Sequence, residues 1–148
     1  MPRRFAHILR PSCGREQCEA HEIEPSRQVR RSDVRKERNV INYLFIECRD
    51  PFQSKDAGFV AETAAALRQG DSEVTVFLVQ NGVLAARRNA LGSHLPQLAK
   101  SGVRLLADDF SLQERGIQSA ELLPGIQQSN IDALVDILVR EDTKAIWH

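Results

Sequence analysis

The stretch VTVFLVQNG, residues 74–82, decides how the rest of the chain is read. Val74 to Val79 is β-branched and apolar almost throughout, as in a strand covered on both faces rather than one with a wet side. Asn81-Gly82 then supplies turn residues at the carboxyl end of that strand. Moving toward the amino terminus, Asn42 to Cys48 (NYLFIEC) is a second short apolar run, closed by the turn signal Asp50-Pro51. Between the two, Ser54 or Asp56 can cap a helix whose Val60, Ala64 and Leu67 share one face, with Gly70 as its stop. Strand, helix and strand make a βαβ unit.

Toward the carboxyl terminus the alternation continues. Helical segments are expected from about Val83 to Asn89 and from Ser93 to Lys100, with Pro96 tolerable in a first turn and Gly102 as the stop. A third strand is expected over Val103–Ala107, followed by a short helix. A weak candidate strand spans Leu122 to Ile126, where Pro124 and Gly125 make it edge-like or bent. Ser129 with Asp132 resembles a capping box for a helix striped by Ile131, Leu134, Val135 and Leu138 and running to about Arg140. Lys144 to Trp147 reads as a last strand. The expected fold class is α/β, a three-layer α/β/α sandwich with a mostly parallel sheet of about five strands.

Such sheets place their sites in the crevice at the carboxyl ends of the strands. Glu47, Cys48 and Arg49 follow the first strand, Asn81-Gly82 the second, and Asp108-Asp109 the third. Asp108 and Asp109 precede a helix start, where partial positive charge favours an anion, so complementing the dipole is the preferred reading. The alternative is a general acid or base held in a low-dielectric cleft near Glu47. Ser111-x-x-Glu114 matches a capping box, preferred over a Ser nucleophile because neither His94 nor His148 has an assignable partner. Arg49 beside Cys48 would favour a thiolate only if the two side chains shared a side. Successive strand residues point to opposite faces, which leaves a buried, inert thiol as the preferred reading.

The chain has 148 residues and zero formal net charge, a size suited to one domain with a single core. Residues 1–38 hold ten Lys/Arg against six Asp/Glu and only eleven apolar residues without a period. A segment of that composition cannot bury enough surface to offset its ordering entropy, so a disordered basic extension over 1–38 and an α/β domain over 39–148 are expected. Its arginines suit phosphate contact, but a simple extension is preferred and no nucleic-acid partner is expected. Cys13 and Cys18 with His7 and His21 have zinc-ligand chemistry in an irregular spacing, and no metal site is expected. Three cysteines argue against a disulfide framework. No stretch approaches a membrane span or the apolar core of a secretory signal, so a soluble, cytoplasmic protein with no membrane partner is expected.

Taken in order, "FIECRDPFQSKDAG", "VTVFLVQNGV", the third strand leading to Arg115-Gly116-Ile117, the capped helix and the terminal strand give Asn42–His148 a resemblance to the DsrE/DsrF/TusD-like sulfur-relay family. In active members a cysteine lies seven residues before the Arg of the Arg-Gly pair, sometimes with a second three residues later, and it carries a persulfide. Counting back from Arg115, those positions hold Asp108 and Ser111. The resemblance therefore implies a member without the usual catalytic cysteine: a noncatalytic or regulatory homologue around intracellular sulfur relay or sulfur oxidation. It also implies a homo-oligomer, trimer or hexamer, with sulfur-relay proteins as partners and no cofactor. Asp108 and Cys48 are the catalytic candidates, and Glu47, Asn81, Asp109, Ser111 and Arg115 the binding candidates. An enzyme that uses Asp108, Glu47 or Cys48 for other chemistry, and a small-molecule-binding module in the crevice, stay open as alternatives.

Overall fold

The computed structural model describes residues 40–70 and 72–148. The expected extension over 1–38 and the Cys13, Cys18, His7 and His21 group lie outside the described residues. Five strands, β1 (Asn42–Glu47), β2 (Glu73–Leu78), β3 (Arg104–Asp108), β4 (Ile126–Ser129) and β5 (Thr143–Trp147), form one sheet in the order β4-β3-β2-β1-β5. Every pairing is parallel. Four α-helices connect them: α1 (Ala57–Gln69), α2 (Leu95–Lys100), α3 (Asp109–Glu114) and α4 (Ile131–Leu138).

Alternation along the strands divides the core in two. Phe45, Val76, Leu78, Leu105 and Ala107 pack with Val60 and Ala64 of α1, Leu98 of α2 and Leu112 of α3. Leu44, Ile46, Phe77, Val79 and Leu106 pack with Leu134 and Ile137 of α4 on the opposite face. Both faces of the central strands are covered, which is why VTVFLV carries so little polarity. The chain steps from β1 to β4 with its helices on one face, then crosses back under α4 to lay β5 against β1. The order of strands therefore reverses between β1 and β5, the kind of place where open α/β sheets leave a crevice.

Three local expectations are corrected. The segment after β2 is a 3-10 helix, Gln80–Ala86, which starts before Gly82. A Cβ on Gly82 would sit 2.2 Å from the Glu47 carbonyl oxygen, so the glycine lets the loop close onto the end of β1. The weak strand forms at Ile126–Ser129 instead of 122–126, because Pro124 has no N–H to donate and Gly125 takes φ 90° before pairing begins. Helix α4 is capped by Asn130, whose side chain accepts the Ala133 N–H at 3.0 Å, and not by Ser129, which is consumed in pairing with Asp108. It ends at Leu138, short of Arg140. Among the described residues no helix is long and apolar enough to cross a membrane.

Candidate functional site

Helix α3 follows β3 without a loop, so residue 108 is at once the last residue of the strand and the N-cap of the helix. The carboxylate of Asp108 fills that role: its Oδ2 accepts the Ser111 backbone N–H at 2.8 Å and the Ser111 hydroxyl at 2.6 Å. The expected Ser111/Glu114 box is thus displaced by three residues, with Ser111 as donor to the cap instead of being the cap. Ser111 Oγ in turn accepts the backbone N–H of Gln80 at 2.8 Å. Gln80 adopts φ 48°, a left-handed conformation uncommon outside glycine, and is held there by this bond. Asp108 and Ser111 are 6% and 5% exposed.

Arg115 closes the cluster. Its Nε and Nη2 donate to Asn81 Oδ1 at 3.2 and 2.8 Å, and its Nη1 donates to the Ser111 carbonyl at 3.1 Å. Asp108, Ser111, Asn81 and Arg115 are therefore brought together across the ends of β2 and β3, while Asp109 is not part of the group. Its Oδ1 accepts the Phe110 N–H at 2.7 Å, and it faces an open groove of about 650 Å3 lined also by Phe110, Gln113, Ser119 and Gln128.

Glu47 and Cys48 occupy a separate place at the β1–β5 reversal. Glu47, 6% exposed, receives the His148 Nδ1 at 2.9 and 3.1 Å and the Arg49 backbone N–H at 2.9 Å. The thiol of Cys48 donates to the His148 carbonyl at 2.9 Å and packs against the α4 side of the core. Arg49 lies 4.0 Å from Asp56 in an exposed ion pair, on its own side of the strand. Beneath Glu47 is a small cavity of about 30 Å3, walled by Val60, Ala61, Leu95 and Leu98 with His94 at its edge. It has room for about one or two waters. Among the described residues no three His, Cys, Asp or Glu side chains converge as a metal site.

Sequence reasoning missed Gln80 and the partner of His148. The register Ile46↔Trp147 puts the following residues, Glu47 and His148, side by side, so the partner was reachable once β5 was placed beside β1. Gln80 carried no signal of its own.

Residues 42–144 match the model of the DsrE/DsrF-like family. No curated protein is significantly similar to the chain. Among solved structures, the ychN protein from E. coli superposes with a TM-score of 0.63 at 18% identity, covering 72% of this chain and 99% of that one. A protein of unknown function from Methanobacterium thermoautotrophicum gives 0.61 at 19% identity, covering 73% and 99%. At these identities the likeness is one of fold alone.

Proposed function

The chain belongs to the DsrE/DsrF-like family, and on that premise we propose that it serves cytoplasmic sulfur relay or sulfur oxidation as a noncatalytic, binding or regulatory homologue. One observation carries this reading. At the position where the resemblance puts a persulfide-bearing cysteine stands the Asp108 carboxylate, buried and committed to the Ser111 N–H and hydroxyl. The helix start that would stabilise a thiolate is already satisfied by a side chain that cannot take up sulfane sulfur. Cys48 is a poor substitute, since its thiol is half-buried and tied to the His148 carbonyl at 2.9 Å.

The test is to incubate the protein with a polysulfide donor, offer an acceptor thiol and map modified cysteines by mass spectrometry. No transferable persulfide is expected, with any labelling confined to Cys13, Cys18 or Cys48. Sulfur passed from Cys48 to the acceptor at a catalytic rate would overturn the reading. Self-association into a trimer or hexamer belongs to the same proposal, supported by Phe52, Phe59 and Phe110 at 66%, 69% and 66% exposed around the strand ends. A monomer by light scattering at micromolar concentration counts against it.

A second reading, an enzyme that uses Glu47, is favoured by one feature: the Glu47–His148 pair lies where the strand order reverses. A carboxylate on Nδ1 fixes the imidazole's orientation, as a general base requires.

A further inference from the structure

We propose that Arg87 and Arg88, set over a concavity beside the Ser119–Glu121 turn, form a binding site for a tetrahedral oxyanion of the phosphate or sulfate class carried on a small molecule. The backbone there is fixed before any ligand arrives. Leu123 N–H donates to the Ala86 carbonyl and Arg88 N–H to the Glu121 carbonyl, both at 2.8 Å, and Arg87 forms an antiparallel bridge with Leu122. Each guanidinium is then oriented through Nε alone: Arg87 onto the Leu84 carbonyl at 3.0 Å and Arg88 onto the Leu122 carbonyl at 3.1 Å. No hydrogen bond to another described residue engages their terminal amino groups. Holding Nε in this way lowers the entropy lost when the rest of the fork meets a ligand.

Charge points the same way. The ion pairs among the described residues are Arg49–Asp56 and Glu47–His148, so neither guanidinium is matched by a carboxylate there. Glu121 does line the concavity, but its carboxylate accepts the Gln118 N–H at 2.8 Å at the start of its own turn. Two cations against one carboxylate leave a net positive charge that favours an anion, and Asn89 adds an amide donor. The concavity is about 380 Å3, more than one tetrahedral ion fills and within the roughly 300–1,000 Å3 of small-molecule sites. Planar guanidinium forks match the paired oxygens of such a group.

The experiment is thermal melting of the full chain in phosphate, pyrophosphate, sulfate, thiosulfate and chloride at constant ionic strength. A saturable rise in melting temperature with at least one polyatomic anion is expected, absent with chloride. Preference for phosphate and pyrophosphate assigns a phosphorylated ligand, and preference for sulfate and thiosulfate a sulfur oxyanion. Arg87→Gln and Arg88→Gln should each weaken the midpoint on the order of tenfold, and Glu121→Gln should tighten it. The arginines of residues 1–38 will also attract anions, so the variants carry the assignment. Melting in chloride shows that each variant is folded, and Arg87→Lys, which keeps the charge but not the fork, should bind more weakly than the native chain. Equal effects of all anions, or anion binding unchanged in both arginine variants, would overturn the site.

Discussion

Asp108 and Glu47 end strands β3 and β1 of one parallel sheet, both 6% exposed, and they are satisfied in opposite ways. Asp108 is held by donors only three residues on, in the first turn of the helix that follows it. Glu47 accepts one local donor, the Arg49 N–H, but its other contact is a ring 101 residues away, delivered by the last strand of the sheet. A locally satisfied acid is set by short-range chain geometry and can form as soon as α3 does. A remotely satisfied one is paired only when β5 has docked, so it reports on the completed topology. The lesson is that two carboxylates at equivalent heights in the fold need not share a role: one terminates a strand and starts a helix, the other ties the reversal of the sheet together.

The largest effect should come where the two ends meet. Gly82 lies against the Glu47 backbone, and a Cβ there would stand 2.2 Å from the carbonyl oxygen and 3.0 Å from its carbon. Neither is the tip of a flexible side chain, so Gly82→Ala must push the 3-10 helix off β1. A loss of about 3 kcal/mol is expected by urea denaturation. A variant as stable as the native chain would mean that the loop and β1 move independently, and the two ends could then be treated as unrelated.

Next is the local acid. Asp108→Ala removes a helix cap and leaves the Ser111 N–H buried without its acceptor, a loss of about 2 kcal/mol. Asp108→Asn keeps an acceptor and should recover most of that loss. If alanine and asparagine are equally harmful, the negative charge rather than the cap is what Asp108 supplies, and the contrast with Glu47 narrows.

How far the sequence reveals this contrast follows from the range of each interaction. The strands were legible because both faces of β1, β2 and β3 are covered, so their apolar runs are continuous. The cap of α3 was half legible: Ser111-x-x-Glu114 and Asp108-x-x-Ser111 are both plausible frames, and the choice depends on β3 running directly into the helix. Likewise β4 is misplaced by four residues because nothing in Leu122–Gln128 says which side of Pro124-Gly125 will pair. Glu47 was named as a site residue, but its pairing with His148 was out of reach because no local pattern states that β5 returns to β1. Asn81 and Arg115 were both named as site residues, yet their contact, 34 residues apart, emerges only from the fold.

The remote acid should show a smaller effect with a distinctive form. In a double-mutant cycle of Glu47→Ala and His148→Ala, a coupling of about 1 kcal/mol is expected, because the His148 side chain is 20% exposed and Glu47 8%. Glu47→Ala should cost more than His148→Ala, since it also strips the Arg49 N–H of its acceptor. Zero coupling would show that the ring rests near the carboxylate without stabilising it, and the enzyme reading of this pair would lose its support.

The smallest effect expected is at Cys48, which lies between the two regimes: its thiol meets the carbonyl of His148, so it too depends on β5, but it contributes one weak hydrogen bond and a modest apolar contact. Cys48→Ser retains a donor of similar reach and should change stability by about 0.5 kcal/mol or less. Reactivity is the sharper readout. With Cys13 and Cys18 replaced by serine, alkylation of Cys48 should be slower than that of an unstructured cysteine, because its sulfur is half-buried and held by the His148 carbonyl, and reagent gains it more readily when the end of β5 lifts from β1. His148→Ala leaves the carbonyl in place but removes the ring's hold on Glu47, so it should speed alkylation without altering the intrinsic chemistry of the thiol. A rate in the native protein equal to that of a free cysteine would mean that β5 is open at its end most of the time. The Glu47–His148 pair would then be a transient contact, while Asp108 keeps its fixed partner in Ser111.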